Sequence, residues 1–236
     1  MTFHIQDITE RKAILDKINL ICYIYCTFNN YILKNTKMNE RRQRDKKRTI
    51  QDVLTAAIHL FSEKGLHGTS VRDIEKASGV SKGLILHHFE TKENLYAAAQ
   101  DHLNQKYVAW MADQRKASSD LKGSIENGIR SSLSYLKTNK EFRRIVLWSY
   151  LEGLDRSTDL DKRFTSSLVE AMQVGQEGGL VRDDVKAFVL PFVIRGAIDY
   201  WIKKESLRGE LYAETQKDNE ISDEDLVNTL VKLILN

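Results

Sequence analysis

Between Lys47 and Gly65 apolar residues recur every three or four positions: Ile50, Val53, Leu54, Ala57, Ile58 and Phe61 make one stripe of a helix. The stripe stops at Gly65, the residue type that most readily closes a helix. Ser70 stands three residues before Asp73, a capping-box spacing in which each side chain satisfies an opposing backbone N–H. The short helix that follows turns Val71, Ile74 and Ala77 inward and ends at Ser78-Gly79, where glycine supplies the positive φ of a tight interhelical turn. Ser81 caps a third helix, Lys82 to about Phe89. Thr91 caps a fourth, which begins at Lys92 and continues past Trp110.

The remainder reads as helices over roughly 120–138, 141–153, 157–177, 184–207 and 222–235, with breaks at Gly178-Gly179 and Gly209. No stretch of alternating polarity bounded by turn residues predicts a sheet, and there are no repeats or low-complexity linkers. The expected fold class is all-α: a small three-helix domain joined directly, through the fourth helix, to a larger helical domain.

Composition adds limits. At 42% apolar residues the chain can bury an ordinary core, and its single proline leaves long helices unbroken. The most apolar run, Ile18 to Leu33, falls short of the ~20 residues of a membrane span and contains Asn19, Asn29 and Asn30. Asp7, Glu10 and Asp16 argue against a secretory signal, and a cytoplasmic location with no membrane partner is expected. Cys22 and Cys26, four apart, have poor geometry for a disulfide and too few companions for a metal site.

Charge is unevenly spread. From Met38 to Lys92 eleven basic residues oppose seven acids, a net +4, whereas the chain after Lys92 is net −3. A basic front on a slightly acidic body fits a polyanion at one end; a solvated helix start explains the imbalance equally well. Residues 1–37 differ from the rest: they hold both cysteines, Tyr23, Tyr25, Phe28 and Tyr31, and no clear amphipathic period. Met38 is therefore expected to be the true initiator, the alternative being an N-terminal helix packed on the body. The run Arg41 to Arg48 is a basic arm that could follow a phosphate backbone or enter a minor groove, or else a solubilising tail.

Two short helices joined by a glycine turn match what a helix-turn-helix requires. The second helix must be small enough to enter a major groove, with a capped start near the phosphates and small or polar residues facing the bases. Ser81-Lys82-Gly83 opens such a helix. Lys82 can reach a phosphate or a guanine edge, and Gly83 permits close backbone approach. Val80, Ile85 and Phe89 pack inward; the outward residues are among Leu84, Leu86, His87 and His88.

Residues 47–95 resemble the DNA-binding domain of the TetR family of bacterial regulators. The resemblance rests on Phe61-x3-Gly65, Thr69 to Ile74, Gly79-Val80-Ser81-Lys82-Gly83 and His88-Phe89-x2-Lys92-Glu93-x-Leu95. It implies a helix-turn-helix domain, here 47–106 after an extension and arm at 1–46, followed by an effector-binding and dimerisation domain at 107–236. It also implies that Ser70 and Arg72 contact DNA, that Ser81, Lys82, Gly83, Leu84, Leu86, His87 and His88 lie at the groove, and that Lys92 clamps a phosphate. Two positions depart from the pattern. Leu86 replaces a common tyrosine, leaving only an apolar contact to a thymine methyl. Glu75 replaces a small residue, usually alanine, and must turn to solvent or pair with a base such as Lys82 or Arg72.

His87 and His88 point about 100° apart on a helix and cannot easily share a metal. His59, His67 and His102 add no ligand spacing, so no metal and no cofactor are expected. In the C-terminal half Tyr107, Met111, Arg144, Trp148, Phe164, Met172 and Phe192 are candidates to line an effector pocket, although such residues at helical spacing also make plain core. Arg144 and Arg195 either meet an anionic ligand or pair with Glu152 or Asp199. Small residues near Gly196, with Tyr200 and the amphipathic end Leu226, Leu230 and Leu233, suit a dimeric four-helix interface.

The resulting expectation is a homodimeric repressor that binds a palindromic double-stranded DNA operator and is released by an unknown small-molecule effector. A regulator working without a ligand, as an activator or through a protein partner, fits the sequence as well. A helical enzyme or carrier fits poorly, because no nucleophile–base pair, paired carboxylates or phosphate loop emerges; no catalytic residue is assigned.

Overall fold

A computed structural model describes residues 40–115, 120–154, 159–207, 209–210 and 221–236. The expectations about Met38 and residues 1–37 lie outside the described residues. The helices are α1 (Glu40–Lys64), α2 (Val71–Ser78), α3 (Lys82–Phe89), α4 (Lys92–Arg115), α5 (Leu121–Thr138), α6 (Lys140–Leu151), α7 (Asp159–Glu177), α8 (Leu190–Lys203) and α9 (Asp223–Ile234). Among the described residues no strand occurs; one isolated bridge pairs Val181 with Leu235. Also among them, no helix is long and apolar enough to cross a membrane.

Packing divides the chain into two compact units. Among the described residues, one runs up to Tyr107 and adds Thr138–Asp161, and the other includes Val108–Lys137 and Lys162–Asn236. Helix α4 is shared, its first part in one unit and its end in the other. The division falls inside α4, between Tyr107 and Val108, and α6, expected in the C-terminal domain, lies in the front unit and packs directly against α1.

In the front unit the predicted stripe of α1 is the core: Val53, Leu54, Ala57, Ile58 and Phe61 are buried, as are Ile74 of α2, Ile85 of α3 and Leu95 of α4. The Phe61 ring meets Tyr96 edge-on at 4.9 Å, the geometry aromatic quadrupoles favour. Helix α1 starts at Glu40 rather than near Lys47, so the expected basic arm forms its opening turns. The run contains Glu, Gln, Arg and Lys, all good helix formers, and no glycine or proline to stop propagation.

The other unit carries Ile125, Ile129, Leu133 and Leu136 of α5, Ile198 of α8, and Leu226, Val227, Leu230, Val231 and Ile234 of α9 in its core. Polar ties hold α9 in register. Lys137 donates to Asp223 at 2.8 Å, Trp201 Nε1 donates to the same carboxylate at 2.9 Å, and Arg130 forks onto Glu224. The helix expected at 184–207 begins at Leu190 instead, with Pro191 in its first turn. Proline lacks an N–H and clashes with the preceding turn, so it is accommodated only where a helix starts.

Helix α9 opens with a capping box: Ser222 N–H donates to Asp225 Oδ2 at 2.7 Å, and Asp225 N–H donates to Ser222 Oγ at 3.3 Å. These Ser222 bonds, backbone first, hold the Asp225 carboxyl below the usual aspartate range. Asp73 is lowered likewise by Ser70 at the start of α2. A carboxylate lowered on folding adds stability that is complete above its unfolded pKa and lost as pH falls through its folded one. Ser222→Ala should lower thermal stability by about 1 kcal/mol at neutral pH. Melting curves at decreasing pH should show the gap to the unsubstituted protein narrowing as Asp225 protonates; a constant gap would remove the carboxylate from the cap.

Candidate nucleic-acid interface

The α2–turn–α3 segment is built from local rules. Ser70 Oγ caps α2 by accepting from Asp73 N–H at 3.2 Å. Gly79 ends that helix at φ +71°, and its N–H reaches Glu75 O at 2.9 Å; a side chain would be strained in this left-handed conformation. Ser81 Oγ then accepts from Leu84 N–H at the start of α3. The Glu75 carboxylate, raised in the sequence as an anomaly, also has a place here. It accepts the Lys82 backbone N–H at 2.8 Å, so it pairs with the peptide of Lys82 rather than with a basic side chain. An acid at this end of α3 complements the helix dipole and satisfies an otherwise orphan donor.

Ile85 anchors α3, being 1% exposed. Around it Ser81, Lys82, Gly83, Leu84 and His87 are exposed, while Leu86, His88 and Phe89 are half-buried. Ser70 and Arg72 are exposed at the start of α2. A Cβ added at Gly83 would meet nothing within 4 Å, so no neighbour in the chain demands glycine there. Burial, with the neighbouring His87 and Lys46, lowers the His88 pKa and favours its neutral ring. After Phe89 the chain turns abruptly. Glu90 takes φ +65° and ψ −56°, and Thr91 N–H donates to Phe89 O at 2.7 Å. That is a γ-turn of the rare, strained kind, and it sets the exit from α3 into α4. Glutamate gives no sequence signal for it.

Several expected site residues have other surroundings. Lys92 Nζ donates to Leu66 O at 2.7 Å and Thr69 O at 2.9 Å, holding the α1–α2 loop instead of projecting toward a phosphate. Loop carbonyls left without helix partners attract the ammonium. Arg144 Nε and Trp148 Nε1, expected in an effector pocket, both donate to Ser62 O at the end of α1, at 2.7 and 3.1 Å. Arg144 pairs with Glu63 at 3.1 Å, and Arg195 pairs with Asp199 at 3.3 Å. Tyr107 is buried in the front unit and stacks on Phe142. Of the other pocket candidates Met111 and Met172 are buried and Phe164 half-buried in the second unit.

Phe192, expected to line a pocket, is 53% exposed and lies beside Phe188 on a surface that includes Val189, Val193, Gly196 and Tyr200. Of the candidate interface residues on α9, Leu233 is exposed, whereas Leu226 and Leu230 are buried within their own unit. A single amphipathic stripe in the sequence could not tell an internal face from an intermolecular one.

A capped eight-residue helix presenting lysine, glycine and histidine, braced by a second short helix across a glycine turn, defines a helix-turn-helix DNA-binding protein. Residues 53–99 match the family model described as bacterial regulatory proteins, tetR family. The chain is 30% identical over 165 residues to the HTH-type transcriptional repressor AcnR of Corynebacterium glutamicum, covering 65% of this chain and 80% of that one. A TetR family transcription regulator from Marinobacter aquaeolei VT8 superimposes with a TM-score of 0.66 at 20% identity, covering 83% of this chain and 99% of that one. AibR, solved in complex with isovaleryl coenzyme A and operator DNA, gives a TM-score of 0.59 at 18% identity, covering 78% and 97%. The chain belongs to the TetR family and is a DNA-binding transcription regulator, not an enzyme.

Glu75 generates a two-sided expectation. Glu75→Ala leaves the Lys82 N–H without its carboxylate and should cost about 1 kcal/mol of stability. It also removes a negative charge beside the helix start and should strengthen binding to any duplex, most at low salt. Melting curves and fluorescence-anisotropy titrations with unrelated DNA check both halves; weaker DNA binding by the folded variant would make Glu75 a support of the interface rather than a restraint on it.

Proposed function

We propose that the protein is a homodimeric repressor that holds a palindromic operator through two copies of α3 and leaves it when a small molecule binds. The carrying observation is the face of α3: Lys82, Gly83, Leu84 and His87 stand exposed around the buried Ile85. In this reading Lys82 and His87 address base edges, Gly83 lets the backbone approach, and Leu84 and Leu86 meet thymine methyls. Ser70, Arg72, Ser81 and His88 line the adjoining backbone, and the exposed Lys46, Lys47 and Arg48 of α1 supply further phosphate contact. The repressor reading draws on AcnR, which carries that name.

The dimer reading rests on α8 and the two residues before it, where Phe188, Val189, Phe192, Val193 and Tyr200 are between 44 and 64% exposed. An apolar surface of this kind on one helix face is best covered by a second copy of itself, giving a two-fold axis that matches a palindrome. Binding of a small molecule draws on AibR, solved in complex with isovaleryl coenzyme A and operator DNA, and release is what the proposal adds. The ligand would occupy the unit containing Met111, Phe164 and Met172, and would favour a dimer geometry in which the two α3 helices no longer fit successive grooves.

Selecting duplexes from a random-sequence library with the purified protein tests the core of this reading. The expected product is an inverted repeat, bound with an affinity that falls steeply with salt as counterions are released. Lys82→Ala should relax preference at one position of each half-site by about tenfold, not weaken all sequences alike. Tyr200→Glu should give a monomer by sedimentation and abolish selection of the repeat. Enrichment of no sequence, or of a single half-site by a dimeric protein, would overturn the proposal.

A further inference from the structure

Arg144, Trp148 and Glu152 follow one another at four-residue intervals, so they lie along one face of α6 and its C-terminal cap. All three end on the same short stretch of backbone. Arg144 and Trp148 converge on Ser62 O, one of the last carbonyls of α1, which has lost its helical partner. Glu152 reaches the loop immediately beyond. Its Oε2 accepts Leu66 N–H at 2.9 Å and its Oε1 accepts His67 N–H at 3.0 Å. From the other side Lys92 donates to Leu66 O and Thr69 O, and Thr69 Oγ1 donates to Gly65 O at 2.8 Å. Leu66 is thus held at its N–H by a carboxylate and at its C=O by an ammonium.

Gly65 shows how closely the clamp is fitted. Its φ is +69°, and a Cβ there would come within 2.6 Å of Glu152 Oε1 and 2.8 Å of the Trp148 ring. The loop 65–69 runs straight into Ser70, the cap of α2, and α2 in turn positions α3 through Glu75 and Gly79. An error in the loop therefore propagates to the base-reading side chains through short, stiff connections.

We infer that Arg144, Trp148 and Glu152 are positioning residues for operator recognition: α6 grips the end of α1 and the α1–α2 loop, and so fixes the angle at which α3 is offered to DNA. The inference rests on DNA binding by α3 alone and is independent of effector and dimer. Specific binding requires every base contact in register, whereas non-specific binding needs only charge near phosphate. Releasing the grip lowers the fraction of molecules in the competent arrangement, and the apparent affinity falls by that fraction.

The test uses the full chain and two probes, the duplex it selects from a random library and an unrelated duplex of equal length. Glu152→Ala should weaken binding to the selected duplex about tenfold, equivalent to 1.4 kcal/mol, and leave the unrelated duplex within about twofold. Glu152→Gln keeps acceptor oxygen and should restore part of the loss. Trp148→Phe keeps an aromatic ring but loses the N–H and part of the indole; it is the milder variant should Glu152→Ala fail to fold, with an expected loss of about threefold. Tyr150→Ser, on a residue 73% exposed on the same helix, should change nothing. Titrations are run well below each variant's melting midpoint, and amide exchange should accelerate at Leu66 and His67. Selective loss of the selected duplex supports positioning. Equal loss on both duplexes, or full affinity in the folded variants with only a lowered midpoint, overturns it. A parent chain that enriches no duplex from the library would instead indict the DNA-binding reading of α3.

Discussion

The peptide groups between Ser62 and Thr69 are where the helix-turn-helix is tied to the rest of its unit. Helix α1 ends there, and its last carbonyls and the next N–H groups have no helical partners. Unpaired backbone groups in a partly buried loop are costly, by roughly 1–3 kcal/mol each. The chain meets this demand with a carboxylate, an ammonium, a guanidinium, an indole and a buried hydroxyl, drawn from α4, α6 and the loop itself. The positions of α2 and α3 follow from that arrangement. Glycine at 65 is required both by its left-handed φ and by the absence of space for a side chain.

Beyond the loop, the recognition segment is stabilised mostly by its own caps. Ser70, Gly79 and Ser81 fix where each helix begins or ends, and Ile74 and Ile85 sink one face of each into the core. Burying a residue such as Ile85 contributes on the order of 1.5–3 kcal/mol, enough to hold a two-turn helix that would not persist alone. The outward face is consequently free to vary without unfolding the domain. Leu86 and Glu75 illustrate two outcomes of that freedom. Leu86 is half-buried, while Glu75 turns its carboxylate to the Lys82 N–H at the start of α3.

The second unit follows a different logic. Its core is spread over α5, α8 and α9, with ion pairs at Asp223 and Glu224 fastening the start of α9. Helix α8 has one buried edge, marked by Ile198, and one apolar surface left exposed. A helix with apolar residues on both sides is a natural junction between a core and a partner.

Local signals along the chain were sufficient for the helix-turn-helix. The boundaries Val71–Ser78 and Lys82–Phe89, the caps at Ser70 and Ser81, the turn at Gly79 and the stripe of α1 are set by contacts within a few residues, so periodicity and capping chemistry report them directly. Only tertiary packing decided the rest. The sequence cannot distinguish Leu226 and Leu230, which are internal, from Phe192, which is exposed, because helical period identifies an apolar face but not what covers it. Nor can it say that Arg144 and Trp148 join Ser62, or that Lys92 turns toward Leu66, since those partners are 82, 86 and 26 residues away. Long side chains take their partners from whichever orphan backbone groups the fold brings within reach, and that is a property of the folded chain alone.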